Sequence, residues 1–336
     1  MKIALDPNIP FISKPLEGLA RVSVTSDLSR ESVADADALI IRTRTRCDAS
    51  LLEGSRVRFI GTATIGTDHI DAEYCAERGI IVTNAPGCNA PGVAQWVLAA
   101  IKESVGFENK TLGIIGAGNV GSLLVRWAEG LGMRILVNDP PLQSVAPLAY
   151  RYCSLETIAE ESDVVSIHTP LTKTGPYPTY HLIDERFVRR LRRHPLVLNA
   201  ARGGVTDTEA LLWGLESGAI GNVGIDCWEG EPQLSLELLG RALFATPHIA
   251  GYSREGKIRA TQMVLDALGE WMGLGWRLEA DAPELMPVPE RVCLDDITYD
   301  IAGDTARLKE NPEGFEAQRN HYELRREPGQ KSRAIR

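Results

Sequence analysis

Short apolar runs punctuate the first 87 residues, separated by polar stretches with helical spacing. The runs at 2–5, 22–25, 38–41, 57–61 and 80–83 have strand length and read as strands. Between the last two, DHIDAEYCAERG opens on a helix-start signal and closes on glycine. Strand alternating with helix predicts a small parallel α/β unit. A helical pattern, APGVAQWVLAAIKESV (90–105), then leads into a second alternating series. Its strand candidates are Leu112–Ile115, Ile135–Val137, VVSIHTP (164–170), LVLNAARG (196–203), NVGIDCW (222–228) and LFATPHIA (243–250). A long helix is expected from Glu255 to about Met272. Prolines at 283, 287 and 289 mark 281–290 as a linker. Beyond it, FEAQRNHYELRRE (315–327) reads as helical and 328–336 as a polar, frayed end.

The second series carries a ligand signature. Gly116, Gly118 and Gly121 form G-x-G-x-x-G at the end of the Leu112–Ile115 run, with Asn119 and Val120 inside the motif and an amphipathic helix after it. Glycines there permit a tight turn and let a helix N-terminus approach a pyrophosphate. Asp139 ends the next apolar run, 18 residues past Gly121, where a carboxylate meets the adenosine ribose hydroxyls and repels a 2′-phosphate. Strand, glycines, helix, strand and acid in this order indicate a dinucleotide site that favours NAD. The fold class is therefore α/β, with a Rossmann-type doubly wound parallel sheet and a second, flavodoxin-like α/β domain. The expected division is 1–88 completed by about 253–280, then 89–252, then a proline-rich linker and short C-terminal region over 281–336.

Three further segments suit alcohol oxidation: NAARGG (199–204), DCWEGEP (226–232) and TPHIAGYSREGK (246–257). His248 is a base near neutral pH. A glutamate beside it would stabilise the imidazolium as the proton arrives. Arg202 offers a planar donor fork that matches a carboxylate. In IIRTRTRC (40–47), Arg42, Arg44 and Arg46 alternate with threonines, so an extended chain would place the three guanidiniums on one face. Such a face could meet an anion or simply be solvated.

Composition narrows the partners. A net charge of −9 argues against nucleic acid or an anionic membrane as the main partner, and no apolar run reaches membrane-spanning length. The six cysteines are scattered without C-x-x-C pairs, so neither a disulfide framework nor a metal site is expected. MKIALDP enters a strand without a signal-peptide pattern, which makes cytoplasm the expected compartment. His69 reads as part of a helix-start cluster, and His168 as structural or cofactor-adjacent. His181, His194 and His321 lack ligand-spaced companions. Cys88, Cys227 and Trp228 read as packing residues.

GTATIGTDHID (61–71), NAPGCNAPGVAQWV (84–97), the glycine motif, HTPLTKTGPYPTYHLI (168–183), NAARGGVTD (199–207), DCWEGEP and TPHIAGYSREGK follow one another in order. In this the chain resembles the D-isomer-specific 2-hydroxyacid dehydrogenases. GTATxGTDH, PGCNA, WEGEP and HIAGYxxEGK resemble the branch that acts on a phosphorylated four-carbon sugar acid. The resemblance is good over about 1–290 and poor in the tail. It implies His248 as acid/base, Glu231 rather than Glu229 as its partner, and Arg202 on the substrate carboxylate. It implies NAD contacts from Asp139, Thr169, Ala200, Ala201, Asp226 and Gly251, and substrate contacts from Arg42, Thr43, Thr64 and Tyr252. The first domain would bind substrate and the shortened tail would serve a homodimer, with Arg325 and Arg326 candidates to reach a partner's site. The alternatives are a 3-phosphoglycerate or hydroxypyruvate type of 2-hydroxyacid dehydrogenase, or an NAD-sensing regulator that performs no catalysis.

Overall fold

The computed structural model describes residues 1–19 and 22–330, and these fall into two compact units. The first comprises 1–89 and 253–286. Its strands are β1 (Lys2–Leu5), β2 (Ser23–Thr25), β3 (Ala38–Ile41), β4 (Phe59–Thr62) and β5 (Ile81–Thr83), all parallel in the order β2-β1-β3-β4-β5. Short helices link them: α1 (Ser13–Glu17), α2 (Arg30–Ala34), α3 (Ala49–Leu52) and α4 (Ala72–Glu77). Successive residues of one strand serve opposite faces. Ile3, Ala38, Ile40 and Phe59 join one apolar cluster, while Ala4, Leu39, Ile41 and Ile60 join the other. This is why these strands read as continuous apolar runs. The helix Arg254–Trp271 covers the first face, with Trp271 against Phe59 at 5.3 Å between ring centroids.

The second unit comprises, among the described residues, 90–252 and 287–330. It opens with α5 (Ala90–Lys102), buried from Ala90 to Ile101 and so apolar all round rather than amphipathic. There follow β6 (Thr111–Ile115), α6 (Asn119–Gly130), β7 (Arg134–Asn138), α7 (Pro140–Val145), α8 (Leu155–Glu161), β8 (Val164–Ile167), α9 (Glu185–Arg190), β9 (Leu196–Asn199), α10 (Thr208–Glu216), β10 (Asn222–Ile225), α11 (Leu236–Arg241) and β11 (Phe244–Ala245). The Arg254–Trp271 helix of the first unit is α12, and α13 (Ile301–Glu310) and α14 (Phe315–Asn320) return to the second. The sheet is parallel in the order β11-β10-β9-β8-β6-β7. The chain runs from β6 to β7 on one side, then returns to place β8 on the other. That reversal is the topological switch point at which open α/β sheets bind ligands, beyond the strands' carboxyl ends.

Three expectations need correction. The Arg42–Arg46 segment is a turn, closed by Thr45 N–H donating to Arg42 C=O. Arg42 instead makes a two-point ion pair with Asp6, Nε to Oδ2 at 2.8 Å and Nη2 to Oδ1 at 3.3 Å, while Arg46 pairs with Asp48. The three arginines therefore form no common face. The helix expected over 315–327 stops at Asn320, and Arg325 beyond it binds backbone carbonyls of Gly92, Ile249, Ala250 and Tyr252. Finally, the tail is no separate piece. Residues 287–330 pack within the second unit, where Val292, Ile297, Tyr299 and Ile301 join one apolar cluster and Leu308 and Phe315 the other. The expected frayed end lies outside the described residues from 331 onward.

Candidate active site

Every cofactor and catalytic candidate of the second unit lies at the carboxyl edge of its sheet. Gly116 follows β6 at φ +91°, and Gly121 sits where a Cβ would lie 2.0 Å from the Gly116 carbonyl oxygen. Only glycine allows that approach of helix to strand. Gly118 caps α6, and a Cβ there would meet nothing within 4 Å. Asn119 and Val120 form the helix's first turn. Asp139 follows β7, with Oδ2 accepting from Ala117 N–H at 2.8 Å and Oδ1 from Leu142 N–H at 2.9 Å. Its carboxylate thus braces the glycine loop. Thr169 follows β8, and its Oγ1 is buried without a hydrogen-bond partner. An open cradle at a helix N-terminus and an orphaned buried hydroxyl at the switch point both fit NAD.

The candidate catalytic trio, Arg202, Glu231 and His248, follows β9, β10 and β11. Asn199, fully buried at the end of β9, donates through Nδ2 to Arg202 C=O, Thr206 Oγ1 and Cys227 C=O, and accepts from Ala201 N–H. It locks the Ala200–Arg202 turn to the segment after β10. Gly203 completes the clamp, since a Cβ would fall 1.9 Å from the Trp228 carbonyl oxygen. Arg202 itself is extended and half-buried, with Nη1 donating to Ala201 C=O at 2.8 Å.

The two glutamates of the WEGEP segment take different histidines. Glu231 Oε1 lies 2.6 Å from His248 Nδ1, and Glu231 Oε2 accepts from Trp228 N–H at 3.1 Å. Glu229 lies 2.5 Å from His181 Nε2, and its other oxygen accepts from Thr208 N–H and Oγ1. Burial pushes the Glu231 carboxyl up. The His248 hydrogen bond and charge and the Trp228 N–H outweigh it and hold the group below its ordinary value. A carboxylate can only accept, so Nδ1 carries the proton and Nε2 is left as the basic atom.

His248 has φ +56°, a left-handed conformation that costs a non-glycine residue about 1–3 kcal/mol. Asp226, 1 % exposed, enforces it. His248 N–H donates to Asp226 C=O at 2.9 Å. Asp226 Oδ1 accepts from Thr246 Oγ1, Ile249 N–H and Ala250 N–H at 2.6, 2.7 and 3.0 Å. Thr246 in turn accepts from Trp96 Nε1 at 3.0 Å, tying the loop to α5. Burial raises the Asp226 carboxyl against the pull of His248 and these donors. Gly251 and Tyr252 close the loop. Arg325, placed in sequence as a candidate for a partner's site, is engaged within its own unit. Its guanidinium donates to the carbonyls of Gly92, Ile249, Ala250 and Tyr252 and lies 4.2 Å from the Tyr299 ring centre.

Of the remaining candidates, Arg42, Thr43 and Thr64 belong to the first unit, at the carboxyl ends of β3 and β4. Thr43 is exposed, and Thr64 Oγ1 donates to Gly66 C=O at 3.2 Å and lies 2.7 Å from Thr62 Oγ1. His168 is held neutral by burial, which lowers it to about 3, and so takes no charge-bearing role. His181 does have carboxylate neighbours, Asp207 and Glu229, contrary to the sequence reading. Both Glu229 oxygens are already engaged. Burial raises the Cys227 thiol well above its ordinary value, as a packing residue requires. Asn199 and Thr246 were missed in sequence although both lie inside the motifs read there. Neither type titrates, so only their contacts reveal the role.

Residues 94–250 match the model of the D-isomer specific 2-hydroxyacid dehydrogenase NAD binding domain. Curated relatives include erythronate-4-phosphate dehydrogenases of Bacteroides thetaiotaomicron, 46% identical over 97% of both chains, and of Pseudomonas aeruginosa, 41% identical over 97% of this chain and 93% of that one. These spans take in the tail, where the resemblance by motif is poor. Among solved structures, NAD-bound 3-phosphoglycerate dehydrogenase of Entamoeba histolytica matches with a TM-score of 0.68 and 27% identity, covering 85% of this chain and 99% of that one. Aquifex aeolicus D-lactate dehydrogenase, complexed with NAD and lactic acid, matches at 0.65 and 25%, covering 81% and 96%. The chain belongs to the D-isomer specific 2-hydroxyacid dehydrogenase family, as an NAD-dependent enzyme alongside the erythronate-4-phosphate dehydrogenases.

Proposed function

We propose that the chain oxidises the C2 hydroxyl of 4-phospho-D-erythronate to 2-oxo-3-hydroxy-4-phosphobutanoate, a step in pyridoxal 5′-phosphate (vitamin B6) biosynthesis. The observation that carries the chemistry is the His248–Glu231 pair, 2.6 Å apart at the carboxyl edge of a dinucleotide-binding sheet. The relatives' shared name supports the substrate. In this reading His248 Nε2 takes the hydroxyl proton, and Glu231 stabilises the imidazolium through Nδ1–H. Bound NAD supplies the acceptor for the hydride that leaves C2. Arg202 holds the substrate carboxylate and polarises the C2 oxygen. Tyr252, Thr43, Thr64 and Arg42 are the proposed sugar-acid contacts, and Asp226, Thr169, Ala200, Ala201 and Gly251 the proposed NAD contacts beyond the glycine loop. A homodimer in the cytoplasm is part of the same proposal. No helix among the described residues is long and apolar enough to cross a membrane.

Oxidation by NAD of 4-phosphoerythronate, 3-phosphoglycerate and D-glycerate, the reduced partner of hydroxypyruvate, by the same enzyme tests the substrate. The first should have the highest kcat/KM, and a preference for either other acid would overturn the assignment. His248→Ala should lower kcat by roughly 10²–10⁴-fold or more while NADH still binds, as read by fluorescence titration. A variant with near wild-type turnover would remove His248 from the mechanism.

A further inference from the structure

Beyond Arg202, a second arginine reaches the catalytic edge, and it comes from the tail. Arg319 sits on α14 with its side chain 13 % exposed. Its Nη1 lies 3.8 Å from Glu316 Oε1, one turn earlier, and its guanidinium hydrogen-bonds the Tyr252 side chain. Its Nε is buried without a hydrogen-bond partner. The charge also bears on Glu231 and on Cys227. One largely buried cation therefore touches the proposed substrate-binding tyrosine. Burying a guanidinium is costly, and a purely structural link to Tyr252 needs no charge.

We propose that Arg319 is a positioning residue of the active site, fixing the Tyr252 hydroxyl for substrate. The inference rests on the dehydrogenase reading above.

Steady-state kinetics with 4-phosphoerythronate, measured with R319Q and R319K, test the proposal. Both variants should raise KM several-fold with kcat changed less, because the planar fork on Tyr252 has gone. Equal losses of kcat with KM unmoved would show a merely structural role and overturn the proposal, as would unchanged kinetics in both. Tyr252→Phe provides a second measurement. In that background R319K should have little further effect on KM, and additive effects would overturn the proposal. Should R319Q fail to fold, R319K with Y252F still decides it. A wild-type enzyme inert on 4-phosphoerythronate but active on another 2-hydroxy acid would sink the substrate reading alone, and the same variants would then be read with that acid.

Discussion

Glu229 and Glu231 are separated by one glycine, yet each faces a different histidine. Gly230, at φ +76°, turns the chain between them, so one carboxylate serves His181 and the other His248. Only the second pair lies on the loop that Asp226 fixes. Glu231 is held below its ordinary value of 4.5 by His248 and Trp228 despite burial. A depressed carboxyl adds stability that is fully present above its unfolded value and is lost as pH falls through the folded one. Glu231→Gln should therefore be less stable than wild type near pH 6, with the gap closing toward pH 3.5. Urea midpoints at the two pH values measure this, and a gap of constant size would contradict it. Glu231→Gln should also lower kcat by tenfold or more, since the imidazolium loses its anionic partner. Sequence resemblance could choose Glu231 over Glu229, but spacing alone could not. Which histidine each carboxylate meets depends on contacts between residues 17 and 48 positions apart.

At the scale of elements, the glycine loop separates folding from binding. Gly121→Ala would drive a Cβ to within 2.0 Å of the Gly116 carbonyl oxygen, in a contact of backbone with backbone. It should destabilise the second unit by about 1–3 kcal/mol and lower Tm. Gly118→Ala faces open space at φ −68°, a conformation any residue adopts. It should melt like wild type and yet bind NADH at least tenfold more weakly, because the added methyl occupies the pyrophosphate's approach. Thermal melts and fluorescence titrations of both variants check the contrast, and wild-type NADH affinity in Gly118→Ala would deny the loop its role. This element was legible because strand, glycines and helix are contiguous in sequence. The arginine-threonine alternation at 42–46 misled for the opposite reason. Period two is a strand signal only where the backbone stays extended, and the Asp6–Arg42 ion pair across strands accompanies a turn instead. Similarly, 315–327 has helical spacing, but its last residues make their contacts with α5 and the 249–252 loop, far away in sequence.

On the scale of the whole chain, the tail is bound into the unit that carries the proposed catalytic residues. Arg325 is the latch. Its Nε donates to Gln95 Oε1 at 3.0 Å, and its two terminal nitrogens reach the carbonyls of Gly92, Ile249, Ala250 and Tyr252. Those carbonyls belong to the start of α5 and to the loop directly after His248, so the latch bears on the base without touching it. A planar, permanently charged fork suits several carbonyls at once, and lysine cannot reproduce it. Arg325→Ala should cost about 2–4 kcal/mol, because several charge-assisted hydrogen bonds to backbone carbonyls are lost together. It should also lower kcat while leaving NADH affinity near wild type, since the glycine loop stands on other elements of the sheet. Arg325→Lys should recover part of the stability and little of the turnover. Urea unfolding, steady-state kinetics and limited proteolysis of 321–330 together test this. A variant that loses stability with kcat intact would show that the tail supports the fold alone, and that the loop around His248 is held sufficiently by Asp226.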